Sequence, residues 1–154
     1  MLIRAIIAFL TLPGVFAGLI PWFLSSVDPW RVNGWSVGIF LLAAGLTILL
    51  RCVYDFYSAG KGTLAPWSPP QHLVTIGLYR HTRNPMYLGV LIIIIGWSLI
   101  KGSPLTCIYL IFAAIVFHLR VILFEEKWLF KNFTQEWTTY SIYVPRWLPG
   151  LGKR

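Results

Sequence analysis

The 154-residue chain has little charge and very little acid. Asp and Glu number 5 against 13 Lys and Arg, and charged residues make up 12% of the chain. Soluble domains carry roughly 25%, so a surface solvated all round is excluded. Cysteine is equally scarce. Cys52 and Cys107 lie in apolar segments with no spacing motif, which argues against a disulfide framework or a cysteine metal knuckle. His72, His81 and His118 form no ligand pair at helical spacing, so no metal site is expected. There is no Ser-His-Asp order and no nucleophile elbow. Gly60-Lys61-Gly62 lacks the spacing and the Lys-Ser/Thr ending of a phosphate loop. A net charge of +8 could suit nucleic acid, but no separate basic module carries it. The basic residues sit in short loops between apolar runs, where topology and anionic lipid account for them.

What the chain does have is apolar surface: 57% hydrophobic residues, 16% aromatics with eight tryptophans, and a mean hydropathy of +0.71. This composition predicts an all-α integral membrane protein forming a single domain over 1–154. About twenty apolar residues cross a bilayer as a helix. Four runs fit, at residues 2–24, 33–56, 85–100 and 105–124, with Pro13 and Pro21 as kinks or ends of the first. The start, with Arg4 and small residues around Ala17, is similar to a signal peptide. Its apolar run continues to Leu24 and further spans follow, so a retained helix is expected. The chain then divides into two N-terminal spans (1–56), a Pro- and Gly-rich loop (57–84), a helical hairpin (85–124) and a C-terminal segment (125–154).

Charge sets the expected orientation. With the N-terminus in the cytoplasm, that side receives nine basic residues: Arg4, Lys61, Arg80, Arg83, Lys127, Lys131, Arg146, Lys153 and Arg154. The other side receives two, Arg31 and Lys101. Both termini and the long loop are therefore expected to face the cytoplasm. After Phe124, the residues Leu129, Phe133, Trp137, Tyr140 and Val144 recur every three or four positions. They predict an amphipathic helix on the cytoplasmic side.

Residues 101–104, Lys-Gly-Ser-Pro, make a tight turn, so the last two spans must be antiparallel neighbours. Pro85 lies eighteen residues before Ser103 and Val121 eighteen after it, which puts them at one depth. Arg83, Asn84 and Tyr87 are then expected beside His118, Arg120, Glu125 and Glu126. Asn84-Pro85 starts a helix well, and its first-turn N–H groups favour an anion. Ionisable groups at membrane depth are costly and suggest function. Snorkelling side chains and lipid-paired arginines are the alternative. Asp55, four residues after Arg51, reads as a structural ion pair.

The stretch Gly-Leu-Tyr-Arg-His-Thr-Arg-Asn-Pro-Met-Tyr-Leu-Gly at 77–89, the Glu125-Glu126 pair and the segment 133–149 resemble the isoprenylcysteine carboxyl methyltransferase family, to which membrane phospholipid N-methyltransferases are related. The resemblance covers about residues 61–149. The family's Arg-His-Pro-x-Tyr-x-Gly matches at Arg83, Asn84, Pro85, Tyr87 and Gly89, with Asn84 replacing histidine. Its later pattern matches at Phe133, Tyr140, Val144, Pro145 and Arg146, with Thr134 and Trp137 departing from it. The resemblance implies S-adenosylmethionine as cofactor, S-adenosylhomocysteine as product, and a lipid or isoprenoid acceptor entering from the bilayer. The implied cofactor site comprises Leu78, Tyr79, Arg83, Asn84, Pro85, Tyr87, Gly89, His118, Glu125, Glu126 and Tyr140. The implied catalytic groups are Glu125, Glu126, Arg120 and Arg146, the arginines for a carboxylate acceptor and the glutamates for an amine. A membrane reductase with a nicotinamide cofactor, or a non-catalytic scaffold or carrier, would fit a similar bundle. No interface for an oligomer is marked.

Overall fold

A computed structural model describes residues 13–59 and 72–148. The first half of the expected first span, residues 60–71 of the long loop, and Arg4, Lys61, Lys153 and Arg154 of the charge count lie outside the described residues. Among the described residues all regular structure is helical. We name the helices α1 (Val15–Val27), α2 (Val37–Ser58), α3 (Pro85–Lys101), α4 (Pro104–Asn132) and α5 (Thr134–Tyr143). A 3-10 turn, Gly77–Arg80, precedes α3. The apolar parts of α2 (Val37–Phe56) and of α4 are long and apolar enough to cross a membrane; α1 and α3 are apolar but shorter.

Two helices contain a turn widened by one residue. In α1 the Ile20 N–H bonds to Val15 O. The wide turn precedes Pro21, which has no N–H and whose ring crowds the preceding turn. In α4 the Glu126 N–H bonds to Val121 O. Such insertions often mark functional sites. Here it falls on the adjacent acidic residues Glu125 and Glu126.

The closest packing is between α2 and α3. A Cβ on Gly38 would lie 2.5 Å from Gly96 O, and one on Gly45 would lie 2.7 Å from Gly89 O, so the two backbones touch. The small residues of α2 are thus spent on a contact within the chain. Ile94, wholly buried, sits in one core with Leu49, Val90, Ile93, Ala113 and Phe117. α1 packs on α3 and α4.

At the far end, Gly102 takes a left-handed conformation (φ 56°) that ends α3, and Ser103 caps α4 by accepting from Thr106 N at 3.2 Å. Asp28 Oδ2 accepts from Ser103 Oγ at 2.5 Å and Leu105 N at 2.9 Å. These bonds hold the carboxyl below its ordinary value of 3.8, the Ser103 hydroxyl contributing most. The expected second span begins later than residue 33. Residues 31–35 have no regular structure instead, with Val32 N bonded to Gly102 O and Trp35 N to Leu99 O. The C-terminal segment also differs from one amphipathic helix. α4 runs straight on to Asn132, breaks at Phe133, and α5 follows. The aromatic stripe still forms a cluster: Trp137, Tyr140 and Val144 are buried, with Leu129 and Phe133 packed on them.

Candidate functional site

The hairpin brings its two charged ends together. Arg83 Nη1 donates to Glu126 Oε1 at 2.9 Å, and Arg146 grips the same carboxylate with Nε at 2.8 Å and Nη2 at 2.9 Å. Glu125 Oε1 accepts from the Tyr87 hydroxyl and from Arg120 Nε, the latter at 2.8 Å. These neighbouring glutamates thus serve separate partners. Arg146 is more firmly protonated than usual through its bonds to Glu126. Burial lowers Arg83, an effect opposed by Glu126.

Residues 144–147 form a strap over the start of α3. Arg83 Nε donates to Val144 O and its backbone N–H to Pro145 O, both at 2.9 Å. Asn84 Nδ2 donates to Arg146 O at 3.0 Å, and the Thr82 hydroxyl to the same oxygen at 3.2 Å. Trp147 Nε1 donates to His118 Nδ1 at 3.0 Å. Asn84 therefore acts through its amide as a tether, a task that suits a side chain with a fixed N–H donor.

Arg83 and Asn84, which the strap holds, line an upper cavity of about 100 Å³. It is lined by Arg83, Asn84, Glu125 and Met86 and by the aromatic residues Phe56, Tyr79, Tyr87, Trp137 and Tyr140. The Arg83 guanidinium sits 5.6 Å from the centre of the Trp137 ring. The Tyr140 hydroxyl donates to Tyr79 O at 2.7 Å, and burial pushes both phenols up. A lower cavity of about 140 Å³ is lined by Pro13, Phe16, Met86, Tyr87, Val90, Val116, Phe117, Arg120 and Glu125. It is apolar except at the Arg120–Glu125 end. Met86, Tyr87 and Glu125 line both cavities and form the wall between them.

This arrangement sorts the expected residues. Tyr79, Arg83, Asn84, Tyr87, Glu125 and Tyr140 line the upper cavity, and Arg120 lines the lower. Glu126 and Arg146 stand behind the cavities as one ion cluster. Leu78 packs beside Cys52, Val74 and Tyr79. Pro85 is buried in the first turn of α3, and His118 meets the strap. Gly89 faces away from the site: a Cβ there would meet Ile48, Gly45 and Leu49 of α2. Met86, Phe117, Trp137 and Trp147 were not expected at the site. Two of them had a sequence signal: Met86 through its first-turn position between Pro85 and Tyr87, and Trp137 through the aromatic stripe from Leu129 to Val144. No cluster that could hold a metal ion occurs among the described residues.

The sequence model of the phospholipid methyltransferase family matches residues 34–136, which include the wall between the cavities and both glutamates. The chain belongs to this family. It is 35% identical over 77 residues to a protein-S-isoprenylcysteine O-methyltransferase of Saccharomyces cerevisiae, a match covering 50% of this chain and 32% of the yeast protein. The chain thus spans about a third of the length of that relative. It is also 35% identical over 63 residues to an uncharacterized protein of Haemophilus influenzae, covering 41% of this chain and 100% of that one. No solved structure matches the chain.

Proposed function

We infer that the protein is a membrane-embedded, S-adenosylmethionine-dependent methyltransferase that esterifies a carboxylate on a lipid-like, isoprenylcysteine-type acceptor. The observation carrying this reading is the shared wall, where Glu125 Oε1 accepts from both Tyr87 and Arg120. An amine acceptor must lose a proton to a base. Both glutamates are already engaged by arginine, Glu125 by Arg120 and Glu126 by Arg83 and Arg146. A carboxylate acceptor has no proton to lose and suits the Arg120 end of the lower cavity, because guanidinium pairs well with carboxylate. N-methylation of a phospholipid amine, favoured by the family's description, is the second reading.

The donor set of the upper cavity fits the cofactor. Arg83 offers a cation for a carboxylate, the first-turn N–H groups of α3 reinforce it, and Tyr79, Trp137 and Tyr140 offer faces for a planar base. When bound, S-adenosylmethionine supplies an electrophilic methyl group on a sulfonium. Glu125 and the Tyr87 ring favour positive charge at the shared wall. Phe16, Val90, Val116 and Phe117 keep water from the lower cavity, which leaves an acceptor carboxylate poorly solvated and more reactive. The upper cavity is smaller than the ~300 Å³ at the low end for small-molecule sites. Binding must therefore widen it, and the strap bears on this through its hydrogen bonds to Arg83 and Asn84, two of the lining residues.

On this reading all four apolar helices span the bilayer, with both termini and the upper cavity on the cytoplasmic side. The test is transfer of a labelled methyl group by the protein in lipid vesicles, to an S-prenylcysteine or to phosphatidylethanolamine. Label in a base-labile ester, released as methanol, is expected. Base-stable label on the amine would overturn the carboxylate reading.

A further inference from the structure

A third cavity, of about 260 Å³ and almost wholly apolar, lies between α1 and α2. It is lined by Pro13, Gly14, Ala17, Gly18, Leu42, Leu46, Leu49, Ile93 and Trp97. Two observations join it to the acceptor cavity. Pro13 borders both. Met86, Val90, Ile93 and Trp97 also form one stripe along α3, spaced by four, three and four residues. The acceptor cavity occupies the Met86–Val90 half of that stripe, and the third cavity the Ile93–Trp97 half. Ala17, a buried side chain of one carbon, lines the third cavity and packs in one cluster with Val90 and Phe117 of the acceptor cavity. α1 packs on α3 and α4, and its Gly14 and Gly18 line the gap together with Leu42, Leu46 and Leu49 of α2. At Gly18 an added Cβ would meet nothing within 4 Å. From Leu42 to Leu49 the gap runs along two turns of α2, about 10 Å.

We propose that this gap is the acceptor's chain site. The acceptor's charged end lies at Arg120 and Glu125, and its hydrocarbon chain follows the α3 stripe past Ala17 into the gap over Gly14 and Gly18. Gly18 then sets the chain length the enzyme prefers. The inference rests on the methyltransferase reading for its substrate, and it makes one substitution informative. Gly18→Phe has room for its side chain, and a helical glycine is a poor helix former, so the variant folds. Its ring fills the gap and leaves the acceptor cavity untouched.

The test uses S-prenyl N-acetylcysteines with one to four isoprene units as acceptors, together with a long-chain analogue carrying a photoreactive group at its end. In Gly18→Phe, kcat/KM for the longest acceptor should fall about tenfold, the worth of roughly two buried methylene groups. The shortest acceptor should change by less than about twofold, since its chain ends before the gap. The photoreactive analogue should label the Leu42 and Trp97 segments of the wild-type protein and lose that label in the variant. An unchanged ratio between long and short acceptors, or wild-type label that avoids these segments, overturns the chain site. If the wild type methylates none of the series, the acceptor reading fails. The photolabel alone then decides, label at Leu42 and Trp97 supporting a chain site and its absence refuting one.

Discussion

The strap can be tested at one ion pair. Arg146 donates two charge-assisted hydrogen bonds to Glu126, and its side chain is 34% exposed against 18% for Glu126. A hydrogen bond to a charged group contributes about 1.5–3 kcal/mol. For the pair, partial exposure to solvent cuts the sum to about 2 kcal/mol. Arg146→Met keeps most of the apolar stem and removes both donors. It should loosen the strap by that amount without unfolding the bundle, because the core around Ile94 lies elsewhere. The reporter is the backbone amide of Arg83, whose N–H bonds to Pro145 O in the strap. Its hydrogen exchange should speed up about 30-fold, at 1.4 kcal/mol per factor of ten, while amides in the middle of α2 and α3 keep their protection. A change below about threefold at Arg83, equivalent to ~0.7 kcal/mol, would refute the strap's dependence on this pair. So would an equal change at every amide, which would mean global rather than local opening.

Three further outcomes follow from the same geometry. Tyr87→Phe keeps the ring packed on Phe117 but removes the donor to Glu125; methyl transfer should fall at least about tenfold, the worth of one charge-assisted bond, while circular dichroism shows the helical fold retained. Gly77→Ala should destabilise the protein strongly in thermal unfolding, because Gly77 has φ 58° and a Cβ there would collide with the Asp55 carboxylate. Asp28→Asn should lower the melting temperature in a pH-dependent way. The folded Asp28 carboxyl is held below 3.8, so its contribution is complete above the unfolded value and is lost as pH falls through the lower folded one. The gap between wild type and variant should therefore be constant near neutrality and shrink below about pH 4; a gap that widens with acid would contradict this.

How far the sequence foretold the site depends on the kind of interaction. Hairpin counting brought Arg83 to Glu126 and Tyr87 to Glu125, because a tight turn and a fixed rise per residue leave two helices one register. The aromatic stripe from Leu129 to Val144 was visible as a periodicity, although the break at Phe133 was not. Contacts to backbone carbonyls were invisible. Val144, Pro145 and Arg146 are held through their C=O groups, which every residue possesses, so side-chain identity gives no hint of them. Gly89 shows the reverse problem. It belongs to a motif whose other members serve the site, yet its lack of a side chain serves the α2 contact. The widened turns left no residue signature beyond Pro21, and one of them ends at the two glutamates.

A partition one phenol and one thioether thick separates the two chambers at Tyr87 and Met86. A reagent soluble in water and one soluble in fat could each arrive from its own phase and meet there, with neither entering the other's solvent. Spent material could leave by the way it came. On the proposed reading, such an enzyme would need no shared doorway, and replenishing one partner would not require releasing the other.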